Sequence, residues 1–225
     1  MREAYHERLD AVSDELVEMT RLVGSAMNKA TQALLDSDLQ LAESVIAGDD
    51  AIDALTGKIE DDCFQVSARQ QPVATDLRII VAALRISSSL ERMGDLAAHI
   101  AKAARLRYPG SAIPAQLVPT FQSMGAVAQN VVAKTGSVIA TKDVSLAADV
   151  ARMDEQMDQL HRELFTAVLS PTWEYGVEAA VDVTLLSRFY ERFADHAVTI
   201  AKRVVYVATG EPYSTVDPEA MVDNL

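Results

Sequence analysis

Residues 87–102 read SSSLERMGDLAAHIAK, and residues 187–202 read SRFYERFADHAVTIAK; 8 of the 16 positions are identical. The shared residues are a Ser, the Glu-Arg pair, an Asp, and a closing set of Ala, Ile, Ala and Lys. Apolar positions in both copies recur at three and four residues, the period of a helix with one buried face. A chain that repeats itself in this way is built from two like units. Working outward, a shift of 105 residues places Asp38 on Asp143, Asp49 on Asp154, Asp53 on Asp158 and Leu55 on Leu160. The change from 105 to 100 puts a five-residue length difference in the turn before the last helix of each half.

The same period runs through the rest of the chain. Proline is absent from Met1 to Gln71 and from Thr120 to Ser170. Leu9, Val12, Leu16, Met19, Val23, Met27, Ala30 and Leu34 trace a first helical stripe. Asp36-Ser37-Asp38 reads as a turn, with Ser37 and Gln40 at the spacing of a capping box. A second stripe passes through Leu41, Val45, Ile52, Leu55, Ile59 and Val66, and Pro72 marks the next break. A third passes through Leu77, Ile80, Val81, Leu84, Ala97, Ile100 and Ala104. Stripes over 117–140, 144–169 and 173–208 match these three. The expected fold is all-α, two tandem, pseudo-symmetric three-helix bundles made of six long helices, antiparallel within each half because the connections are short. The first bundle is expected over 1–107, a linker over 108–115, the second bundle over 116–211 and a tail over 212–225. Trp173 is expected to staple the start of the last helix, and Cys63 to be a buried apolar side chain.

Composition narrows the function. The 225 residues carry 20 Lys+Arg against 33 Asp+Glu, a formal charge of −13. That balance opposes nucleic-acid binding, which needs a basic surplus against phosphate. It favours cations, or basic patches on protein partners. A single cysteine allows neither an internal disulfide nor a cysteine-based zinc site. The charged amino terminus lacks the apolar stretch of a secretory signal. No apolar run approaches the roughly 20 residues of a membrane helix. The expectation is a soluble, cytoplasmic protein without membrane insertion. No Gly-rich phosphate loop, nucleophile elbow or ordered Ser-His-Asp set appears, so nucleophilic catalysis has no support.

The repeats are acidic as well as apolar. Each half has two carboxylates four apart on its second helix, Asp49 with Asp53 and Asp154 with Asp158. Each has another such pair on its third, Glu91 with Asp95 and Glu191 with Asp195. That spacing stacks both side chains on one helix face. Like charges so placed cost an isolated helix roughly 0.2–0.5 kcal/mol per pair. Four carboxylates converging between two helices call for arginine or a hard, oxygen-ligated cation. Asp10, Asp14 and Glu18 have the same spacing without the repetition and read as a solvated face. His99 and His196 are further candidate ligands. Arg92 and Arg192, repeated beside the motif, read as ion-pair partners of the carboxylates. The spacing leaves iron, manganese, magnesium, calcium and zinc equally open.

Longer runs carry a family resemblance. Ala68-Arg69-Gln70-Gln71-Pro72-Val73-Ala74-Thr75-Asp76-Leu77-Arg78 closely resembles the inter-helix turn of the PhoU family of bacterial phosphate-uptake regulators. Leu90-Glu91-Arg92-Met93-Gly94-Asp95 and Glu191-Arg192-Phe193-Ala194-Asp195-His196-Ala197 resemble its two acidic motifs, and residues 206–211 its closing stretch. The resemblance spans nearly the whole chain, from about Tyr5 to Glu211. It implies multinuclear metal clusters held by Asp49, Asp53, Glu91 and Asp95, and by Asp154, Asp158, Glu191 and Asp195. It further implies a cytoplasmic, non-enzymatic, often dimeric negative regulator of the phosphate-starvation (Pho regulon) response. Such a regulator acts as an adaptor between the ATPase subunit of the high-affinity phosphate transporter and the sensor histidine kinase. The chain departs from the pattern one turn beyond each motif, where His99 and Thr199 stand in place of an expected Asn. That departure predicts a richer coordination shell in the first half.

Two other readings compete. A ferritin-like di-metal carboxylate or iron-handling bundle needs Glu-x-x-His motifs on two helices. The chain offers Glu3-Ala4-Tyr5-His6 and the imperfect Asp158-Gln159-Leu160-His161. A bundle whose acidic faces bind nothing is the other.

Overall fold

The computed structural model describes residues 2–70 and 72–211, with the side chains of residues 2–6, 69 and 70 left aside. The tail expected over 212–225 and the Glu3–His6 motif thus fall outside the described side chains. Six long helices follow in order: α1 (Arg2–Asp36), α2 (Leu39–Gln70), α3 (Thr75–Arg107), α4 (Val118–Thr141), α5 (Val144–Val168) and α6 (Gly176–Thr209). A single 3₁₀ turn, Ala115–Leu117, precedes α4.

The turns within the two halves are built alike. Ser37 (φ 53) and Lys142 (φ 56), at equivalent positions, both adopt the left-handed conformation that ends a helix. The next residue caps the new helix: Asp38 accepts from the Leu41 N–H at 2.9 Å, and Asp143 from the Ser145 N–H at 2.9 Å. The capping box expected at Ser37 and Gln40 is therefore displaced by one residue. Ser37 is spent on reversing the chain, and the carboxylate of Asp38 satisfies the orphan donor. At the third turn the Trp173 indole donates to the Gly176 carbonyl at 2.8 Å, stapling the entry to α6 as expected.

The first stripe is buried throughout, with Met19, Val23, Met27 and Ala30 fully inaccessible. Cys63 is 1% exposed. On α3, Ile80, Ala97, Ile100 and Ala104 enter the core, but Leu77, Val81 and Leu84 are 46%, 40% and 36% exposed. The apolar period is continuous along α3, but what packs against it is not. Leu77 and Val81 line an open cleft against the end of α6.

Within each half the three helices pack on one another, and the halves join by α1 against α4 and α3 against α6. Both joining pairs run antiparallel. Thr31 lies at Gly125, Gly24 at Val132 and Thr20 at Gly136. Along α3 and α6, the ring of His99 meets Phe189, while Arg107 reaches Asp182 and Arg78 reaches Gly210. Equivalent helices that meet antiparallel are related by an approximate two-fold axis. The α1–α4 contact is close because two glycines permit it: a Cβ at Gly125 would sit 2.5 Å from Thr31 Cγ2, and one at Gly136 would sit 2.7 Å from Thr20 Oγ1. The buried hydroxyls of Thr31 and Tyr190 bond across the halves at 2.7 Å. Buried apolar residues of all six helices form one continuous core. Among the described residues no helix is long and apolar enough to cross a membrane.

Candidate metal centre

Each cluster forms where the second helix of a half lies against the third. In the first half Ile52 of α2 is 2% exposed, and its neighbours Asp49 and Asp53 flank that inward edge. On α3, Glu91 and Asp95 bracket Gly94. A Cβ at Gly94 would lie 2.8 Å from Ile52 Cδ1 and 3.2 Å from Asp49 Oδ1, so the missing side chain lets α2 press onto α3 and carries Asp49 over it. The electrostatics show the convergence. Burial, then Asp95 and Asp53, raise the Asp49 carboxyl above the usual carboxylate range, against the pull of Lys102. Glu91 is raised mainly by burial and further by Asp95, Asp53 and Asp49, with Arg92 opposing. Arg92 donates to Asp95 at 2.7 Å and lies 3.6 Å from Glu91, the ion pairing expected for it.

The second cluster is more deeply set. Glu191 is 9% exposed, and Arg188, one turn earlier, holds one of its oxygens. Burial, reinforced by Asp195, Asp158 and Glu191, pushes the Asp154 carboxyl up to about 6, against Lys202. Glu191 is raised by burial and then by Asp195. Asp154 Oδ1 and Glu191 Oε2 are buried with no hydrogen-bond partner among the described residues. A buried carboxylate oxygen without a partner costs about 1–3 kcal/mol or more. A hard cation is the natural remedy when the neighbours are also carboxylates. The donor set fits such an ion, although no three His, Cys, Asp or Glu side chains among the described residues stand where they could ligate one ion together.

The candidate histidines have other neighbours. His99 is exposed and its ring stacks on Phe189, 5.3 Å between centroids. The one-turn step from Asp95 put it on a shared stripe, but that stripe turns there toward α6. His196 is half-buried, its pKa lowered by burial and by Arg192, with Asp195 opposing and Arg92 of α3 adding to the fall. His161 faces Ser187, Nδ1 to Oγ 3.0 Å, and meets Phe165 edge-on. His99, the expected extra ligand of the first half, is thus stacked on Phe189, and of the eight clustered carboxylates it is Asp154 and Glu191 of the second half that carry unpartnered buried oxygens among the described residues. Asp10, Asp14 and Glu18 are exposed, as a solvated face should be.

Sequence reasoning passed over Gly94, Arg188 and the pair Lys102 and Lys202. The lysines carried a readable signal. Both close the 16-residue repeat, two turns beyond Asp95 and Asp195 on the same face.

A duplicated helical bundle with a carboxylate cluster in each half is thereby defined. The profile of the PhoU domain matches it twice, over residues 16–104 and 121–204. The phosphate-specific transport system accessory protein PhoU homolog 2 of Mycobacterium tuberculosis (strain H37Rv) is 50% identical over 210 residues, covering 93% of this chain and 99% of its own. The PhoU homolog of Caulobacter vibrioides is 32% identical over 220 residues, covering 96% and 94%. The crystal structure of PhoU from Pseudomonas aeruginosa superposes with a TM-score of 0.83 at 30% identity, covering 92% of this chain and all of that one. That of the phosphate transport system regulatory protein PhoU from Streptococcus pneumoniae gives 0.84 at 28%, covering 95% and 99%. The chain belongs to the PhoU family.

Proposed function

We propose that this protein regulates phosphate transport as a non-catalytic accessory subunit. In this reading it restrains uptake and the phosphate-starvation response when phosphate is ample. It does so as a cytoplasmic adaptor, a homodimer, between the transporter's ATPase subunit and the sensor histidine kinase. Family membership and the names of its relatives support the transport role. The observation that carries the mechanism is the pair of four-carboxylate clusters, one of them with two buried oxygens lacking partners. Asp49, Asp53, Glu91 and Asp95 hold one set of cations, and Asp154, Asp158, Glu191 and Asp195 hold the other. Burial and then neighbouring carboxylates raise Asp49, Glu91, Asp154 and Glu191; a bound cation offsets both and fixes α2 to α3 and α5 to α6. The ferritin-like alternative is not favoured: the His161 ring pairs with the Ser187 hydroxyl and packs edge-on against Phe165.

The test is deletion of the gene, with phosphate-starvation transcripts and phosphate uptake measured in phosphate-rich medium. Complementation compares wild type with a chain in which Glu91, Asp95, Glu191 and Asp195 are all Ala. Derepression rescued only by wild type supports the full reading. Rescue by both removes the clusters from the mechanism. An unchanged response in a strain without a second copy rejects the regulatory role.

A further inference from the structure

The duplication supplies an internal comparison that exposes a second kind of site. At one end of the α3–α6 pair, Arg107 donates to Asp182 from two nitrogens, at 2.6 and 3.1 Å, and also to Glu178. The other end is chemically inverted. A shift of 100 residues puts Arg78 where Glu178 stands, Ala82 where Asp182 stands and Arg85 where Leu185 stands; Val207 replaces Arg107, and Arg203 answers to Ala103. Arg78, Arg85 and Arg203 together line a cleft of about 390 Å³, closed by Leu77, Val81, Ala82 and Tyr206.

In a chain with 33 acidic residues, none of these three arginines has a carboxylate within ion-pair distance among the described residues. Among the described residues the Arg78 side chain donates to the Thr75 hydroxyl, at 3.0 Å, and to no carboxylate. The Nε atoms of Arg78 and Arg203 are buried without a partner among the described residues. Burial and the facing Arg85 both depress the Arg203 pKa, so the guanidiniums repel each other across the cleft. Like charges gathered without counter-charge, with buried donors unused, describe half of an interaction.

We infer that this cleft binds a phosphoryl-bearing anion, whose oxygens take the donors of Arg78, Arg85 and Arg203. Guanidinium forks match the oxygens of a tetrahedral phosphoryl group two at a time. The cleft volume falls within the roughly 300–1,000 Å³ of small-molecule sites. Two sources share that chemistry, inorganic phosphate and a phosphate ester. The Leu77, Val81 and Tyr206 wall favours an ester, because a bare ion would leave it wet. The site involves none of the clustered carboxylates and stands or falls apart from the proposed regulation.

The experiment is calorimetric titration of the full-length, chelator-treated chain with adenosine monophosphate, inorganic phosphate and adenosine. Chelation removes any route through a bound cation. The monophosphate is expected to bind at least about tenfold more tightly than adenosine, since charge-assisted bonds to the phosphoryl group supply the difference. Arg85→Gln, at an exposed position, should fold normally and weaken binding at least about tenfold. Arg203→Gln should do the same, with unchanged helicity by circular dichroism. Equal binding of inorganic phosphate, lost in the same variants, identifies the free ion as the source and upholds the site. No binding of either phosphoryl probe, binding of adenosine as tight as its monophosphate, or indifference to Arg85→Gln overturns it.

Discussion

Asp154 offers the sharpest test of the idea that the acidic clusters await a cation. Its carboxyl is pushed up to about 6 in the fold from an ordinary value of 3.8, first by burial and then by Asp195, Asp158 and Glu191. A carboxyl raised on folding binds protons more readily in the folded state than in the unfolded one. Stability is therefore highest below the unfolded value and falls as pH rises from about 4 through about 6. At about 1.4 kcal/mol per unit the nominal penalty at neutral pH is about 3 kcal/mol. The side chain is only half-buried, and solvent screening reduces this to about 1 kcal/mol. Asp154→Asn keeps the shape, removes the charge and lets the amide donate to a neighbouring carboxylate. In chelator-treated protein near pH 7.5, that variant should melt about 2–4 °C above wild type. Near pH 4 the two should coincide. A saturating divalent cation should raise the wild type and raise the variant less, because the added stability follows the occupancy of the site. A variant that melts at or below wild type at neutral pH without cation would refute the claim that this carboxylate is held against its own charge.

The α1–α4 contact gives a second prediction. Gly125→Ala gains about 1 kcal/mol of helix propensity but drives a methyl into Thr31, which then loses its bond to Tyr190, so the net should be a loss of about 1–3 kcal/mol in urea unfolding. Adding Thr31→Ser, which removes the clashing methyl and keeps the hydroxyl, should recover most of that loss. Burial pushes the Cys63 thiol up to about 11, so in native protein near pH 8 it should resist a thiol-specific reagent until urea opens the bundle; immediate reaction would contradict its placement in the core.

The helices were readable because their information is local. The stripe from Leu9 to Leu34 repeats at the helical period, and each of its positions is buried. The eight carboxylates were readable for the same reason, since one-turn spacing places a pair on one face whatever the partner. What escaped reading depends on which helix lies opposite. Leu77, Val81 and Leu84 continue a faultless stripe, yet all three are exposed, and Leu77 and Val81 line a cleft beside the end of α6. His99 keeps helical register with Asp95 but meets Phe189 from the other half. Gly125 and Gly136 look like weak points in α4 and become its closest contacts only once α1 is laid against them. Cross-half geometry of this kind has no signature along the chain.

The antiparallel meeting of α1 with α4 and of α3 with α6 has an evolutionary consequence. Two identical three-helix chains could make the same contacts as a self-complementary pair, each surface meeting its own copy. Gene fusion of such a pair would turn association into chain connectivity and remove its concentration dependence. It would also release the two copies from having to change together. The cleft with three arginines at one end of α3–α6, and the Arg107 ion pairs at the other, are what that release permits. A symmetric dimer must carry the same end twice, whereas a fused one can specialise each.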